Sequence, residues 1–146
     1  MPFKKSIRLT SFDYSSDGAY FVTICTFQKS KFIIPAYEII LKRELRELEI
    51  RFRGVKIDFF VFMPTHCHII FVFRNAEVDL PKVIQAFKSI TTLKLKKAGF
   101  HGSYFWQKNY YEHVVRDEEA LYRIREYIKL NPESERLLNF SQSKHD

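Results

Sequence analysis

Residues 55–73 place the tightest limit on what this chain can fold into. Two runs rich in aromatic and β-branched residues, Val55–Met63 (VKIDFFVFM) and His66–Phe73 (HCHIIFVF), are separated only by Pro64-Thr65. Each reads as a strand, and the short break between them predicts a hairpin. The second run is apolar on both faces, which argues for a central strand covered on both sides.

The remaining elements follow from periodicity. Tyr20–Phe27 (YFVTICTF) is a third strand-like run. Ala36–Phe52 carries Tyr37, Leu41, Leu45, Leu48 and Phe52 on one helical stripe. The i,i+4 pairs Glu38/Lys42 and Glu47/Arg51 support that helix, and Gly54 ends it. A second helix is predicted over Leu80–Ala98, with Pro81 in its first turn and Gly99 after its end. Its expected core set is Val83, Ile84, Phe87, Ile90, Leu93 and Leu95, with lysines between them. Residues 100–109 read as a loop and Tyr110–Val115 as a strand. Asp117 is a fitting N-cap for a last helix, and Glu118 and Glu119 suit the positive end of its dipole. That helix runs to about Leu130, because Pro132 disfavours helical geometry at Asn131.

The order is strand, helix, strand, strand, helix, strand, helix. The first six elements match a ferredoxin-like βαββαβ plan, so the expected class is α+β with an antiparallel sheet and one added C-terminal helix. The 146 residues fit a single domain over 1–146, the last 14 or so forming a polar tail. With 46% apolar and 16% aromatic residues, the chain is not of a disordered type. No apolar run approaches the roughly 18 residues of a membrane span, and the N-terminus lacks the apolar stretch of a signal peptide. Cys25 and Cys67 form no CxxC pair and read as reduced thiols in a cytoplasmic protein.

Charge narrows the choice of partner. The net charge is +7, and Leu80–Tyr111 contains six lysines (82, 88, 94, 96, 97 and 108) and no acid. Lys4, Lys5 and Arg8 add to this within twelve acid-free N-terminal residues. Segments so one-sided fit a polyanion, and the plainer reading is a solvated lysine face. No membrane partner is expected.

Four residues stand out chemically. His66 and His68 share one face of a strand, with Cys67 on the other. Tyr127 and Asn131 lie one turn apart on the last helix. Together they supply a nucleophile and three neutral ligands for one divalent metal, a set suited to attack of a tyrosine on a phosphodiester. Taken singly, each has a plainer reading: hydrogen-bonded histidines near a turn, a boundary tyrosine, a helix-ending asparagine.

Taken jointly, the segments 63–70 (MPTHCHII), 105–107 (FWQ), 110–117 (YYEHVVRD) and 127–132 (YIKLNP) resemble the single-tyrosine HUH transposases, most closely the REP-associated tyrosine transposases. Tyr20–Thr26 and 86–89 (AFKS) agree with this, so the resemblance spans roughly residues 5–135. It implies an α/β sandwich on a ferredoxin-like sheet. It also implies metal ligands at His66, His68 and Asn131, a nucleophile at Tyr127, and Mg²⁺ or Mn²⁺ as cofactor. The implied activity is nicking and joining of single-stranded DNA next to a hairpin, of a REP or an element end, through a 5′-phosphotyrosine. Lys88, Lys94, Lys97 and Arg116 are candidate DNA contacts. Tyr104 is a candidate for base stacking, as is Trp106, although core packing suits Trp106 better. The resemblance departs at Cys67, where the family usually carries a bulky hydrophobe, and in the polar tail. The alternative is a catalytically silent, domesticated module that grips DNA hairpins. Monomer and homodimer both stay open, and with a dimer the question of whose His pair Tyr127 serves.

Overall fold

The computed structural model describes residues 17–130. The expectations for Lys4, Lys5, Arg8, Asn131, Pro132 and the polar tail fall outside them. In chain order the elements are β1 (Gly18–Cys25), α1 (Pro35–Arg51), β2 (Val55–Met63), β3 (His66–Phe73), α2 (Leu80–Lys97), β4 (Tyr111–Val115) and α3 (Glu118–Lys129). The sheet order is β2-β3-β1-β4, and all neighbours are antiparallel. This is the βαββαβ plan with one added helix. The expected hairpin joins Met63 to His66 directly, so Pro64-Thr65 is its whole turn.

Alternation along the strands divides the molecule into two unequal cores. On one face Tyr20, Val22 and Ile24 of β1 meet Cys67, Ile69, Phe71 and Phe73 of β3. α1 covers this face with Leu41, Leu45 and Leu48, and α2 covers it with Val83, Ile84, Phe87 and Leu95. On the opposite face Phe21 of β1, Ile70 of β3 and Val115 of β4 form a small core with Ile128 of α3. Leu121, Ile124 and Tyr127 pack against it. The central strand β3 is therefore covered on both sides.

α2 departs from expectation most at Leu93, and Ile90 is only half-buried. Leu93 is 65% exposed, and Thr91 is fully buried in its place. The Thr91 hydroxyl donates to the Phe87 carbonyl and accepts the Trp106 indole N–H at 2.9 Å. A buried indole needs an acceptor, and the loop after α2 brings one that only threonine supplies at this point.

Gly54 turns the chain from α1 into β2 at φ +88°. A Cβ there would stand 2.5 Å from the Arg74 carbonyl oxygen, so the close approach of these two backbones requires glycine.

Candidate active site

β3 begins with His66, and two residues later His68 points to the same face, the one covered by α3. Their ring centroids are 4.9 Å apart. His68 is buried and His66 half-buried. Each imidazole meets a threonine hydroxyl at Nδ1. Thr23 Oγ1 lies 2.9 Å from His68, and Thr65 Oγ1 lies 3.0 Å from His66. Thr23 comes from β1, where it stands directly opposite His68 in the antiparallel register. Thr65 comes from the hairpin turn. Two strands and a turn thus hold both rings by Nδ1, which leaves Nε2 as the nitrogen that could ligate a metal.

α3 brings the tyrosine. Asp117 caps its first turn by accepting from the Ala120 N–H at 2.8 Å, a contact worth about 1 kcal/mol. Near its far end Arg125 forms a two-pronged ion pair with Asp58 of β2, at 2.8 and 2.7 Å. The Asp58 hydrogen bonds raise the guanidinium pKa further above its already high range. Asp58 lies at an irregularity in the β2–β3 register, between Ile57 and Phe59. An extra residue there re-aims a side chain. Leu121 and Ile124 between cap and ion pair, and Ile128 just beyond it, seat the helix on Phe21 and Ile70.

That seating sets the Tyr127 ring 5.8 Å from the His68 ring and 6.4 Å, edge-on, from the Phe21 ring. Phe21 is itself 5.3 Å from His68. His66, His68 and Tyr127 therefore form one cluster. Asn131 would follow the C-terminus of α3 but lies outside the described residues. The His pair fits a divalent cation on its own terms: two neutral nitrogen donors share one face, each already oriented through its other nitrogen. Among the described residues no group of three or more His, Cys, Asp or Glu side chains gathers.

The candidate DNA contacts scatter. α2 lies on the far side of the sheet from His66, His68 and Tyr127. Lys88 is spent internally: its ammonium donates to the carbonyls of Gln107, Lys108 and Asn109 at 2.7, 3.0 and 3.2 Å. Burial pushes its pKa down to about 8, against the pull of the Cys67 and Cys25 thiols. Burial likewise pushes the Cys67 thiol well up, and neither cysteine is in a disulfide. Lys94 pairs with the buried Glu44 of α1 at 3.0 Å. Lys97 is exposed at the end of α2, and Arg116 is exposed between β4 and α3. Trp106 is buried and Tyr104 is exposed. Sequence reasoning missed Thr23, Asp58 and Arg125. An H-x-H pair signals ligands but not which strand stands beside them.

Residues 15–131 match the family described as "Transposase IS200 like". An uncharacterised protein of Haemophilus influenzae is 32% identical over 163 residues, covering 88% of each chain. Among solved structures, one similar fold is a REP-associated tyrosine transposase bound to a REP hairpin. It is 20% identical with a TM-score of 0.71, over 88% of this chain and 74% of that one. Another is a provisionally named transposase from Deinococcus radiodurans, 18% identical with a TM-score of 0.60, over 84% and 95% of the two chains. No helix among the described residues is long and apolar enough to cross a membrane.

Proposed function

This chain belongs to the IS200-like transposase family, and from that premise we propose that it cuts and rejoins single-stranded DNA through Tyr127. The observation that carries the reading is the 5.8 Å approach of the Tyr127 ring to His68. A phenol beside the imidazole pair supports phosphoryl transfer as a role for Tyr127 in addition to its packing on the small core.

The phenol is a weak nucleophile at neutral pH, since its ordinary pKa is about 10. Position and charge therefore have to lower the barrier. His66 and His68, with Asn131, would hold Mg²⁺ or Mn²⁺. Such an ion supplies positive charge beside a non-bridging phosphate oxygen and offsets the charge that develops in transfer. Thr23 and Thr65, each in contact with an Nδ1, hold the two rings in place, and with their hydroxyls accepting from Nδ1–H the Nε2 atoms would be the ligating nitrogens. Phe21 and the Arg125–Asp58 pair hold the Tyr127 ring over the site. Tyr127 Oη then bonds to phosphorus as the bond to the 3′-oxygen breaks. The phenol loses a proton and the 3′-oxygen gains one. The resulting 5′-phosphotyrosine keeps the phosphodiester energy, so a second 3′-OH reverses the step and joins strands without ATP.

The substrate class follows the same premise. The structural relative bound to a REP hairpin and the net charge of +7 both favour hairpin-flanked single-stranded DNA. Of the four basic candidates, Lys97 and Arg116 are the better phosphate contacts, because Lys88 and Lys94 already have internal partners.

A labelled hairpin-flanked single strand incubated with the protein and Mn²⁺ tests the proposal. The wild type forms an SDS-stable adduct and Tyr127→Phe does not. An adduct that survives Tyr127→Phe removes Tyr127 from the chemistry. Hairpin binding with no adduct from the wild type points to the silent DNA-gripping module instead.

A further inference from the structure

At the end of the sheet where β3 starts with His66, β1 leaves the sheet at Cys25 and makes a single 3-10 turn, Phe27–Lys29. Two successive non-glycine residues there adopt left-handed backbone, Gln28 at φ 56° and Lys29 at φ 54°. Such geometry is costly and persists only where its surroundings fix it. Here they do. The Thr26 N–H donates to the Thr65 carbonyl at 2.9 Å, and the Thr26 hydroxyl lies 2.6 Å from the Ser30 carbonyl and 3.1 Å from that of Thr65. Thr65 is the residue that orients His66. Hydrogen bonds through Thr65 therefore join the strained turn to His66.

The loop 100–109 is stitched to the same turn. The Phe27 N–H donates to the Phe105 carbonyl and the Gln107 N–H to the Cys25 carbonyl, both at 2.9 Å. Thr26 and Trp106 form a β-bridge, and the Lys88 ammonium ties down residues 107–109 from the α2 side. On this frame the ring of Tyr104 sits 5.2 Å from the ring of Phe27, tilted by 49°. Tyr104 is 63% exposed although the loop beneath it is fully anchored. An exposed aromatic on a rigid mount keeps its face available without the ordering cost of a mobile loop.

The two segments that build this frame carry charge of one sign. Residues 18–37 and 80–111, which supply both loops, contain no Asp or Glu. Lys29, Lys31 and Lys108 are exposed on them. Aromatic faces interleaved with exposed cations suit single-stranded nucleic acid, where bases stack and phosphates meet lysines.

We propose that Tyr104, backed by Phe27 and carried with the exposed Lys29 and Lys108 on the same two segments, is a stacking platform for an unpaired base of the DNA strand that enters the site at His66. This rests on the DNA-processing reading above and adds where the strand is gripped. The platform is a binding element and takes no part in bond making.

The test is binding without chemistry. A single-stranded oligonucleotide carrying 2-aminopurine is titrated with protein in EDTA, reading anisotropy and quenching together. Tyr104→Ala weakens binding about tenfold and abolishes the quenching of one base position. Tyr104→Phe retains both, since only the ring face is used. Lys29→Ala and Lys108→Ala each lower the slope of log K against log salt by about 0.7. Tyr104→Ala leaves that slope unchanged. Wild-type affinity and quenching in Tyr104→Ala overturn the platform, as does failure of the wild type to bind the strand. Tyr127→Phe binds and quenches like wild type, so loss of its adduct is a separate result. An adduct-forming enzyme whose binding ignores Tyr104 defeats the platform while leaving the Tyr127 chemistry standing.

Discussion

The ring of Tyr127 lies 5.8 Å from the ring of His68, on the face of the sheet that α3 covers. The histidine comes from the central hairpin and the tyrosine from the helix added to the ferredoxin-like plan. Their meeting depends on how α3 is tethered, and each tether is open to mutation.

Arg125 and Asp58 form the tether nearest Tyr127. Their side chains are 36% and 19% exposed, so water weakens the pair. Arg125→Met should therefore cost only about 1 kcal/mol of unfolding free energy. Nicking should fall more steeply, about tenfold or beyond, because small misplacements of a reacting group are expensive. Urea unfolding set beside single-turnover nicking separates the two effects. Equal losses in both would mean that the pair serves stability alone.

Thr23→Val keeps the shape of the side chain and removes the hydroxyl at His68 Nδ1. A partner of this kind typically contributes 10- to 100-fold in metal affinity. Mn²⁺ affinity, read by electron paramagnetic resonance of the free ion, should fall at least about tenfold with the circular dichroism spectrum unchanged. Unaltered Mn²⁺ affinity would show that the ring is oriented without Thr23.

Lys88 holds three carbonyls, and its removal should be costly. Lys88→Met leaves the carbonyls of residues 107–109 without their donor, a loss of about 2 kcal/mol. The pKa of Lys88 is about 8 in the folded chain, against about 10.4 when unfolded. Between those values the unfolded chain binds more protons, so the Lys88 contribution to stability rises with pH across that window. The stability difference between wild type and Lys88→Met should accordingly widen from pH 8 to pH 10. A difference that narrows there would contradict the burial of this ammonium.

Local pattern carried much of this fold. The bounds of β2 and β3 follow from two apolar runs and a Pro-Thr break, and the α3 cap follows from Asp117 before two glutamates. The His pair and Tyr127 were legible as residue types with a shared face. What was not legible depends on pairing between distant segments. Thr23 faces His68 only because β1 lies beside β3, a register no local spacing encodes. Thr91 replaces Leu93 in the core because the indole of Trp106 arrives from a later loop. Lys88 looks like a surface cation until that loop presents three carbonyls to it. The basic face of α2 was readable as basic, but which side of the sheet it covers was not. Asn131, expected as a third ligand, follows the last described residue.

Mapping the covalent link decides whether Tyr127 is the nucleophile. The adduct formed with a hairpin-flanked single strand and Mn²⁺ is digested with trypsin and nuclease, and the nucleotide-bearing peptide is sequenced by mass spectrometry. The account predicts a 5′-linked nucleotide on Tyr127, in the peptide Glu126–Lys129. A nucleotide on any other tyrosine, or one joined through its 3′-phosphate, would contradict it.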